Sequence, residues 1–317
     1  MSRSRIAVLV VALPAAACGS GASGSSGATP TAGALPPALV QVENNAAARP
    51  QWGLKDAAVV YEYVTEGGIT RFSALYTSAP PGRVGPVRSA RLVTVRLAGI
   101  DDAVIVYSGA SAAVQRALDA SELPHVDEQS AGGDLYRIGD RSVPHNLVTD
   151  GQHLSDLLDR FRGHAPAAAL WPRATTTSGS QGRPVSRFSV PFSDGETPSF
   201  SYDPAATGWK RVEPDTGPFV DAGTKQAVVA ATVIVQQVSI NQTADVEDVN
   251  GQHGVDIVVT GGGAAQVFTA GREYDASWSQ GDSGPPSFRL ADGGSAPIAP
   301  GLVWICLVST GTTAVPS

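Results

Sequence analysis

The stretch AAVVYEYVTEGGITRFSALYT, residues 57–77, decides the architecture of the first half of the chain. Two runs rich in Val, Ile, Tyr, Phe and Thr flank the pair Gly67-Gly68, a pattern that indicates a β-hairpin. We therefore predict strands over Ala57–Glu66 and Ile69–Thr77, joined by a two-residue turn.

In that register Val64 faces Arg71, and period-two alternation places Glu62, Glu66 and Arg71 on one face of the sheet. Two hypotheses remain open for this group. It could be a cross-strand ion pair on a half-exposed sheet, or an arginine that carboxylates hold in position for a ligand.

The hairpin continues into a region of one charge sign. No acidic residue lies between Glu66 and Asp101, although the formal net charge of the whole protein is −7. An acidic protein of this kind lacks the basic surface that general nucleic-acid binding needs. The stretch contains five arginines: Arg71, Arg83, Arg88, Arg91 and Arg96.

The motif GPVRSAR, residues 85–91, leads from a turn into a predicted helix with Ser89 as its N-cap. Arg88 would precede the cap and Arg91 would lie in the first turn. Cations are disfavoured at a helix N-terminus unless an anion is present. The motif therefore predicts a phosphate or carboxylate site, or else an internal counter-charge from a nearby glutamate or aspartate.

A third polar motif, RIGDRSVPHN, covers residues 137–146. His145 could transfer a proton near neutral pH, with Glu62 as a second candidate for that role, and Asn146 is a candidate ligand contact. The five histidines show no metal-ligand spacing and no G-x-S-x-G motif is present, so we expect no metal, no cofactor and no serine nucleophile. Gly261-Gly262-Gly263 is predicted to be a tight turn.

The remaining pattern predicts a mixed α/β or α+β fold in two domains. The first, residues 38–164, combines a mixed sheet with helices over Ser89–Gly99, Ser111–Ser121 and Ser155–Phe161. Residues 165–183 read as a linker. Residues 184–315 are mostly β, with candidate strands at Arg187–Phe192, Ser199–Tyr202, Gly208–Val212, Ala230–Ile240, Gly254–Val259, Gln266–Ala270, Tyr274–Ser279 and Leu302–Val308.

The N-terminus is predicted to be a targeting segment. Residues 1–17 have a basic start and an apolar run too short to span a membrane, and they end in small residues before Cys18. Cys18 is the predicted lipidation site, and residues 18–37 form a Gly/Ser-rich tether. The other cysteine, Cys306, is predicted to be a core thiol.

Together these motifs resemble the YerB-like family of bacterial lipoproteins. The N-terminal part carries ENNAAARPQWGLKDAAVVYEYVTEGGITRF, GPVRSAR and LYRIGDRSVPHN, and the C-terminal part carries ATVIVQQV, GGGAAQVFTAG and PGLVWICLV. Thr232 departs from the pattern, because the family usually has Asn there. The resemblance implies a two-domain lipoprotein on the outer face of the cytoplasmic membrane and implies no reaction. Its motifs contain Glu62, Glu66, Arg71, Arg88, Arg91, His145 and Asn146.

Three functions follow as hypotheses. We favour a non-catalytic lipoprotein that binds an anionic glycan, a lipid-linked precursor or an envelope protein through the arginines. The alternative is a transferase or hydrolase that acts on phosphate-linked cell-wall material. A third is a structural scaffold whose arginines are all paired internally.

Overall fold

A computed structural model describes residues 35–164, 182–247, 250–281 and 284–317. The predicted signal peptide, Cys18, most of the tether and most of the linker lie outside the described residues. Within the described part, no helix is both long enough and apolar enough to cross a membrane.

The first half of the chain contains eight strands, three α-helices and three short 3₁₀ turns at Ala46–Ala48, Leu54–Asp56 and Glu66–Gly68. The strands are β1 (Ala38–Glu43), β2 (Val59–Val64), β3 (Thr70–Tyr76), β4 (Arg83–Val84), β5 (Val104–Val106), β6 (His125–Val126), β7 (Tyr136–Arg137) and β8 (Leu147–Asp150). The helices are α1 (Leu92–Asp101), α2 (Ala112–Ala120) and α3 (Gly151–Asp159).

The second half is entirely β where it is described. Its strands are β9 (Arg183–Pro184), β10 (Arg187–Ser189), β11 (Ser199–Asp203), β12 (Gly208–Glu213), β13 (Gly217–Pro218), β14 (Val229–Ala230), β15 (Thr232–Val246), β16 (His253–Val258), β17 (Gly261–Thr269), β18 (Arg272–Gln280), β19 (Ser287–Leu290), β20 (Val303–Ser309) and β21 (Val315–Pro316).

One large sheet runs through both halves in the order β19-β18-β17-β15-β20-β2-β3-β1-β5-β6. Strand β20, from the end of the chain, lies between β2 and β15 and is parallel to both. All but its last residue are buried, as is usual for a central parallel strand. Cys306 on this strand is free and fully buried, so the predicted core thiol is confirmed.

The two faces of this sheet carry separate hydrophobic cores. On one face α1 and α2 pack over residues such as Leu39, Tyr61 and Ile305. The other face carries Val40, Phe72 and Trp304 and is covered by a second sheet, in the order β13-β12-β11-β10-β21, and by α3. A small third sheet, β4-β8-β7, flanks the first half.

The fold is more β-rich than the predicted mixed α/β description. Of the described residues, 43 % lie in strands or isolated β-bridges and 14 % in helices, the short 3₁₀ turns included, so the helices form only a thin layer on the sheets. The two-part architecture is present, with the sheet hydrogen bonds of β20 joining the parts.

The predicted register of the first hairpin is wrong by one residue. A three-residue turn, Glu66–Gly68, replaces the two-residue turn, and Arg71 lies opposite Tyr63 while Glu62 lies opposite Phe72. Because side chains alternate along a strand, a one-residue shift moves Arg71 to the opposite face of the sheet from Glu62.

Two further local predictions need correction. Helix α1 begins at Leu92 with Arg91 as its N-cap residue, so Ser89 is not the cap. The glycines at 261–263 are not a tight turn, because they begin strand β17 and pair with Trp278–Gln280. By contrast, the predicted helix that starts near Ser111 is present as α2, and Ser111 caps it with its side chain accepting from Val114 N.

Candidate anion-binding site

Two arginines from the acid-free stretch, Arg71 and Arg91, reach the same backbone carbonyl, and a third, Arg88, lies beside them. Arg71 Nη1 donates to Ser89 O at 2.8 Å, and Arg91 Nη1 reaches the same oxygen at 3.4 Å. Arg88 precedes Ser89, and its charge, after the larger effect of burial, lowers the pKa of the Arg71 guanidinium. The three predicted arginines therefore lie together, which we call the arginine cluster.

Backbone hydrogen bonds explain why the segment from Arg88 to Arg91 is extended. Arg88 N donates to Gln41 O on β1 at 2.9 Å, and Ala90 N donates to Gly109 O at 3.0 Å. The segment is thus held between β1 and the loop after β5. This pairing delays the start of α1 and fixes the arginines at the carboxyl end of β1, a place where open sheets containing parallel strands often bind ligands.

Arg91 is neutralised within the protein. Its Nε donates to Glu66 Oε2 at 2.8 Å, and its Nη2 is bonded to the other oxygen of the same carboxylate. Glu247 adds a second carboxylate, with Oε2 at 3.2 Å from Arg91 Nε. For this arginine, the hypothesis of internal pairing is the better description.

Arg71 and Arg88 are satisfied less completely. Arg71 is only 2 % exposed, and its Nε has no hydrogen-bond acceptor among the described residues. The buried Nε of Arg88 also lacks one, although it lies 3.2 Å from Glu43 Oε1 as an ion pair. Burial lowers the pKa of Arg71, Arg88 lowers it further, and Tyr63, Glu43 and Glu247 oppose this effect. A buried charge with unused donors is costly unless a partner supplies acceptors.

Glu43 links Arg88 to His145. Its other carboxylate oxygen, Oε2, lies 2.9 Å from His145 Nδ1. Both Arg88 and His145 remain partly accessible, at 28 % and 21 % side-chain exposure, while the Glu43 side chain is 3 % exposed. Sequence reasoning missed Glu43, although a carboxylate at the end of a mostly apolar strand was a usable signal.

A buried hydrogen-bond network, which we call the floor, lies beneath the arginine cluster and consists of Gln41, Tyr63, Ser73 and Thr94. Tyr63 Oη contacts Ser73 Oγ at 2.8 Å and donates to Gln41 Oε1 at 3.0 Å, and Thr94 Oγ1 also donates to Gln41 Oε1 at 3.0 Å. Burial raises the pKa of the Tyr63 hydroxyl. The floor ties β1, β2, β3 and α1 together beneath the guanidinium groups.

Glu62 lies on the opposite face of the sheet and does not approach the arginine cluster. It accepts from Arg211 Nη2 at 2.6 Å, from Trp304 Nε1 at 2.8 Å and from Thr70 Oγ1 at 3.0 Å. Burial raises the pKa of Glu62, against the opposing charge of Arg211. This carboxylate is fully buried and already accepts three hydrogen bonds. The sheet separates it from any ligand that the arginine cluster would bind.

Asn146 also has an internal task. Its Oδ1 accepts from Arg137 Nη1 at 2.7 Å, and its Nδ2 donates to Ile138 O at 3.0 Å. These bonds hold the segment that connects β7 to β8. Of the predicted site residues, the structure brings together Arg71, Arg88, Arg91, Glu66 and His145.

The best-described cavities lie away from the arginine cluster. One of about 450 Å³ lies beside Trp52, Arg83 and Asp221, and two smaller ones lie beside Arg183 and Arg49. No group of three His, Cys, Asp or Glu side chains suited to a metal ion occurs in the described ranges.

Comparison with known proteins places the chain in a family. Residues 23–163 match the profile described as "Protein of unknown function (DUF3048) N-terminal domain", and residues 188–305 match the corresponding C-terminal domain. The chain is 28 % identical over 277 residues to "Putative lipoprotein YerB" of Bacillus subtilis (strain 168). This alignment covers 86 % of this chain and 81 % of that protein. The crystal structure of the Bacillus subtilis YerB protein aligns with a TM-score of 0.73 and 26 % identity, over 87 % of this chain and 92 % of that one. The resemblance drawn from the motifs is thereby confirmed, and the chain belongs to the DUF3048 family, with its N- and C-terminal domains both present.

Proposed function

We propose that this protein binds an anionic ligand of the cell envelope through Arg71 and Arg88. The observation that carries the proposal is that both arginines have a buried Nε without a hydrogen-bond acceptor among the described residues. An anion beside the Ser89 carbonyl would accept from both guanidinium groups and offset the cost of burying them.

The chemistry favours a phosphate or carboxylate group. A guanidinium presents donors in a planar fork that matches two oxygens of either group, and such charge-assisted bonds are stronger than neutral ones. The partly exposed Arg88 and His145 side chains mark the side from which the group would enter.

The proposed location is the outer face of the cytoplasmic membrane. It rests on the name of the Bacillus subtilis relative, a lipoprotein, and on the sequence pattern that ends at Cys18. A phosphate-bearing glycan or lipid-linked precursor would be within reach of a chain tethered there. Native mass spectrometry of protein purified from its own membrane would test this directly, because a retained ligand would appear as added mass.

Calorimetric titration of the full chain with inorganic phosphate, and separately with acetate, tests the site itself. Arg88→Met is expected to weaken binding of the recognised anion at least tenfold, because one charge-assisted partner is lost. Arg116→Met, which removes an exposed arginine on α2, is the matched control and should leave binding unchanged. Absence of binding to both anions, or equal loss in both variants, would overturn the proposal.

The contact between Glu43 and His145 favours a second candidate, an enzyme that transfers or hydrolyses phosphate-linked cell-wall material. A carboxylate at Nδ1 orients an imidazole so that its other nitrogen can exchange a proton with a bound group. His145→Gln should then retain anion binding and abolish turnover of a phosphodiester substrate. Retention of turnover in this variant would exclude His145 as the acid or base.

A further inference from the structure

One carboxylate reaches the arginine cluster from the second half of the chain. Strands β15 and β16 continue past the large sheet as a two-stranded arm, and no residue from Ser239 to Val246 is buried. Glu247 follows directly, yet its side chain is 1 % exposed and its Oε2 lies 3.2 Å from Arg91 Nε. Among the described residues at this end of the arm, the buried side chain is therefore an acidic one, and it lies against Arg91.

The base of the arm is fixed, which places this carboxylate on the cluster. Arg96 on α1 forms an ion pair with Asp256 and donates to Ile257 O at 2.7 Å on β16. Strand β16 also packs against the turn that holds Glu66. Gly254 leaves room for Glu247, because a Cβ at that position would overlap the Glu247 carboxylate.

Glu247 is held by charge alone. Neither of its carboxylate oxygens has a hydrogen-bond partner among the described residues, whereas Glu66 takes two bonds from the same Arg91. Burial raises the pKa of Glu247; Arg91 opposes this effect, the nearby Asp245 adds to it, and Arg71 opposes it. Compared with Glu66, it is a loosely held second anion on the cluster.

We infer that Glu247 is an internal stand-in for the ligand, a carboxylate that an external anion displaces from the arginine cluster. The inference rests on the proposed function and adds its regulation. With Glu247 in place, the arm lowers the affinity of the site for an external anion. The external anion accepts hydrogen bonds from the arginines, whereas Glu247 makes none with the described residues. Displacement also returns the Glu247 carboxylate to solvent, which recovers part of the free energy lost when it was buried.

The test is phosphate titration of the full-length Glu247→Gln variant beside Asp245→Asn. Asp245 is exposed on the same arm, so its variant makes the same charge change without touching the arginines. Glu247→Gln should bind inorganic phosphate about fivefold to tenfold more tightly than the unmodified chain, whereas Asp245→Asn should change affinity less than about twofold. Circular dichroism of both variants must first show that they are folded.

The outcomes separate the two proposals. If the unmodified chain binds phosphate, loses it on Arg88→Met, and Glu247→Gln binds no more tightly, then Glu247 is a structural ion-pair partner and only this inference is overturned. If the folded unmodified chain binds neither phosphate nor acetate, the proposed function is overturned and the displacement with it.

Discussion

Arg211 forms a buried ion pair with Glu62 that joins the two halves of the molecule, with Arg211 Nη2 at 2.6 Å from Glu62 Oε1. Arg211 lies on β12 of the second sheet and also pairs with Glu213, while Glu62 lies on β2 of the large sheet. The guanidinium also lies over the rings of Phe72, Phe219 and Trp304 at 5.0–5.6 Å. Burial alone lowers the pKa of Arg211, but Glu62 and Glu213 raise it above its ordinary value, so the cation is firmly charged.

Replacing Arg211 with methionine should therefore destabilise the fold by about 3–5 kcal/mol, because the buried Glu62 loses its counter-charge and the buried Glu213 keeps only its ion pair with Arg49. Urea unfolding followed by tryptophan fluorescence measures this change. Lys210→Met is the control one residue away, since Lys210 is 40 % exposed and pairs at the surface with Asp203. Its cost should stay below about 1 kcal/mol, and a similar cost for both variants would show that the buried pair contributes nothing special.

The buried charged residues around Arg211 also determine how the stability of the fold depends on pH. Glu196 is 6 % exposed, and burial, followed by the charges of Glu62 and Glu213, raises its pKa from an ordinary value of 4.5 to about 8. A carboxyl whose pKa is higher in the folded state stabilises the fold fully below about pH 4.5, and this contribution is lost as pH rises through about 8.

Glu196→Gln should accordingly flatten the fall in unfolding free energy between about pH 5 and about pH 9, because the amide cannot ionise. The measurement is urea unfolding at several pH values in that window. Asp194→Asn, at an exposed position in the same loop, should keep the slope of the unmodified chain. An unchanged slope in Glu196→Gln would mean that another group carries the pH dependence.

The strands were largely predictable because their residues combine high β propensity with turn signals at each end. The run 302–308 illustrates this, since seven consecutive apolar residues rich in β-branched and aromatic side chains favour a fully buried strand, and β20 is one. The order of strands was not predictable, because β20 reaches β2 across more than 200 residues and local pattern carries no information about such pairing.

At the candidate site, the arginines and one of their partners, Glu66, were predictable from the sequence, and the partners from distant elements were not. An acid-free, arginine-rich stretch in an acidic chain is visible in the sequence, but Glu43 and Glu247 come from distant elements. The prediction that Glu62 and Arg71 share one face of the sheet was wrong because of the length of a single turn. Gly67-Gly68 is compatible with a two-residue or a three-residue turn, and one residue of register decides the face on which Arg71 lies.

The glycine run at 261–263 has a packing role that a substitution would reveal. Trp278 Nε1 donates to Gln237 O at 2.8 Å across the position where Gly263 has no side chain. A Cβ on Gly263 would lie 2.8 Å from that indole nitrogen and 2.9 Å from that oxygen. Gly263→Ala should therefore cost about 1–3 kcal/mol and change the emission of Trp278.

Gly281 provides the control for this prediction. It lies just after the same strand as Trp278, and a Cβ there would meet nothing within 4 Å. Gly281→Ala should change the unfolding free energy by less than about 0.5 kcal/mol. If Gly263→Ala were equally neutral, the Trp278 hydrogen bond would have to be dispensable.

The turn at Gly67 connects backbone conformation to the arginine cluster. Gly67 has a φ of +73°, in the left-handed region, and its missing side chain would contact nothing within 4 Å, so the requirement for glycine is conformational and not steric. Gly67→Ala should cost about 1 kcal/mol, and Gly67→Asn less, because asparagine tolerates this region better. Since the turn also positions Glu66 against Arg91, thermal unfolding and hydrogen exchange at the Arg91 amide should report the change together. A loss of stability in Gly67→Asn equal to that in Gly67→Ala would show that the side chain itself, and not the backbone angle, disturbs the turn.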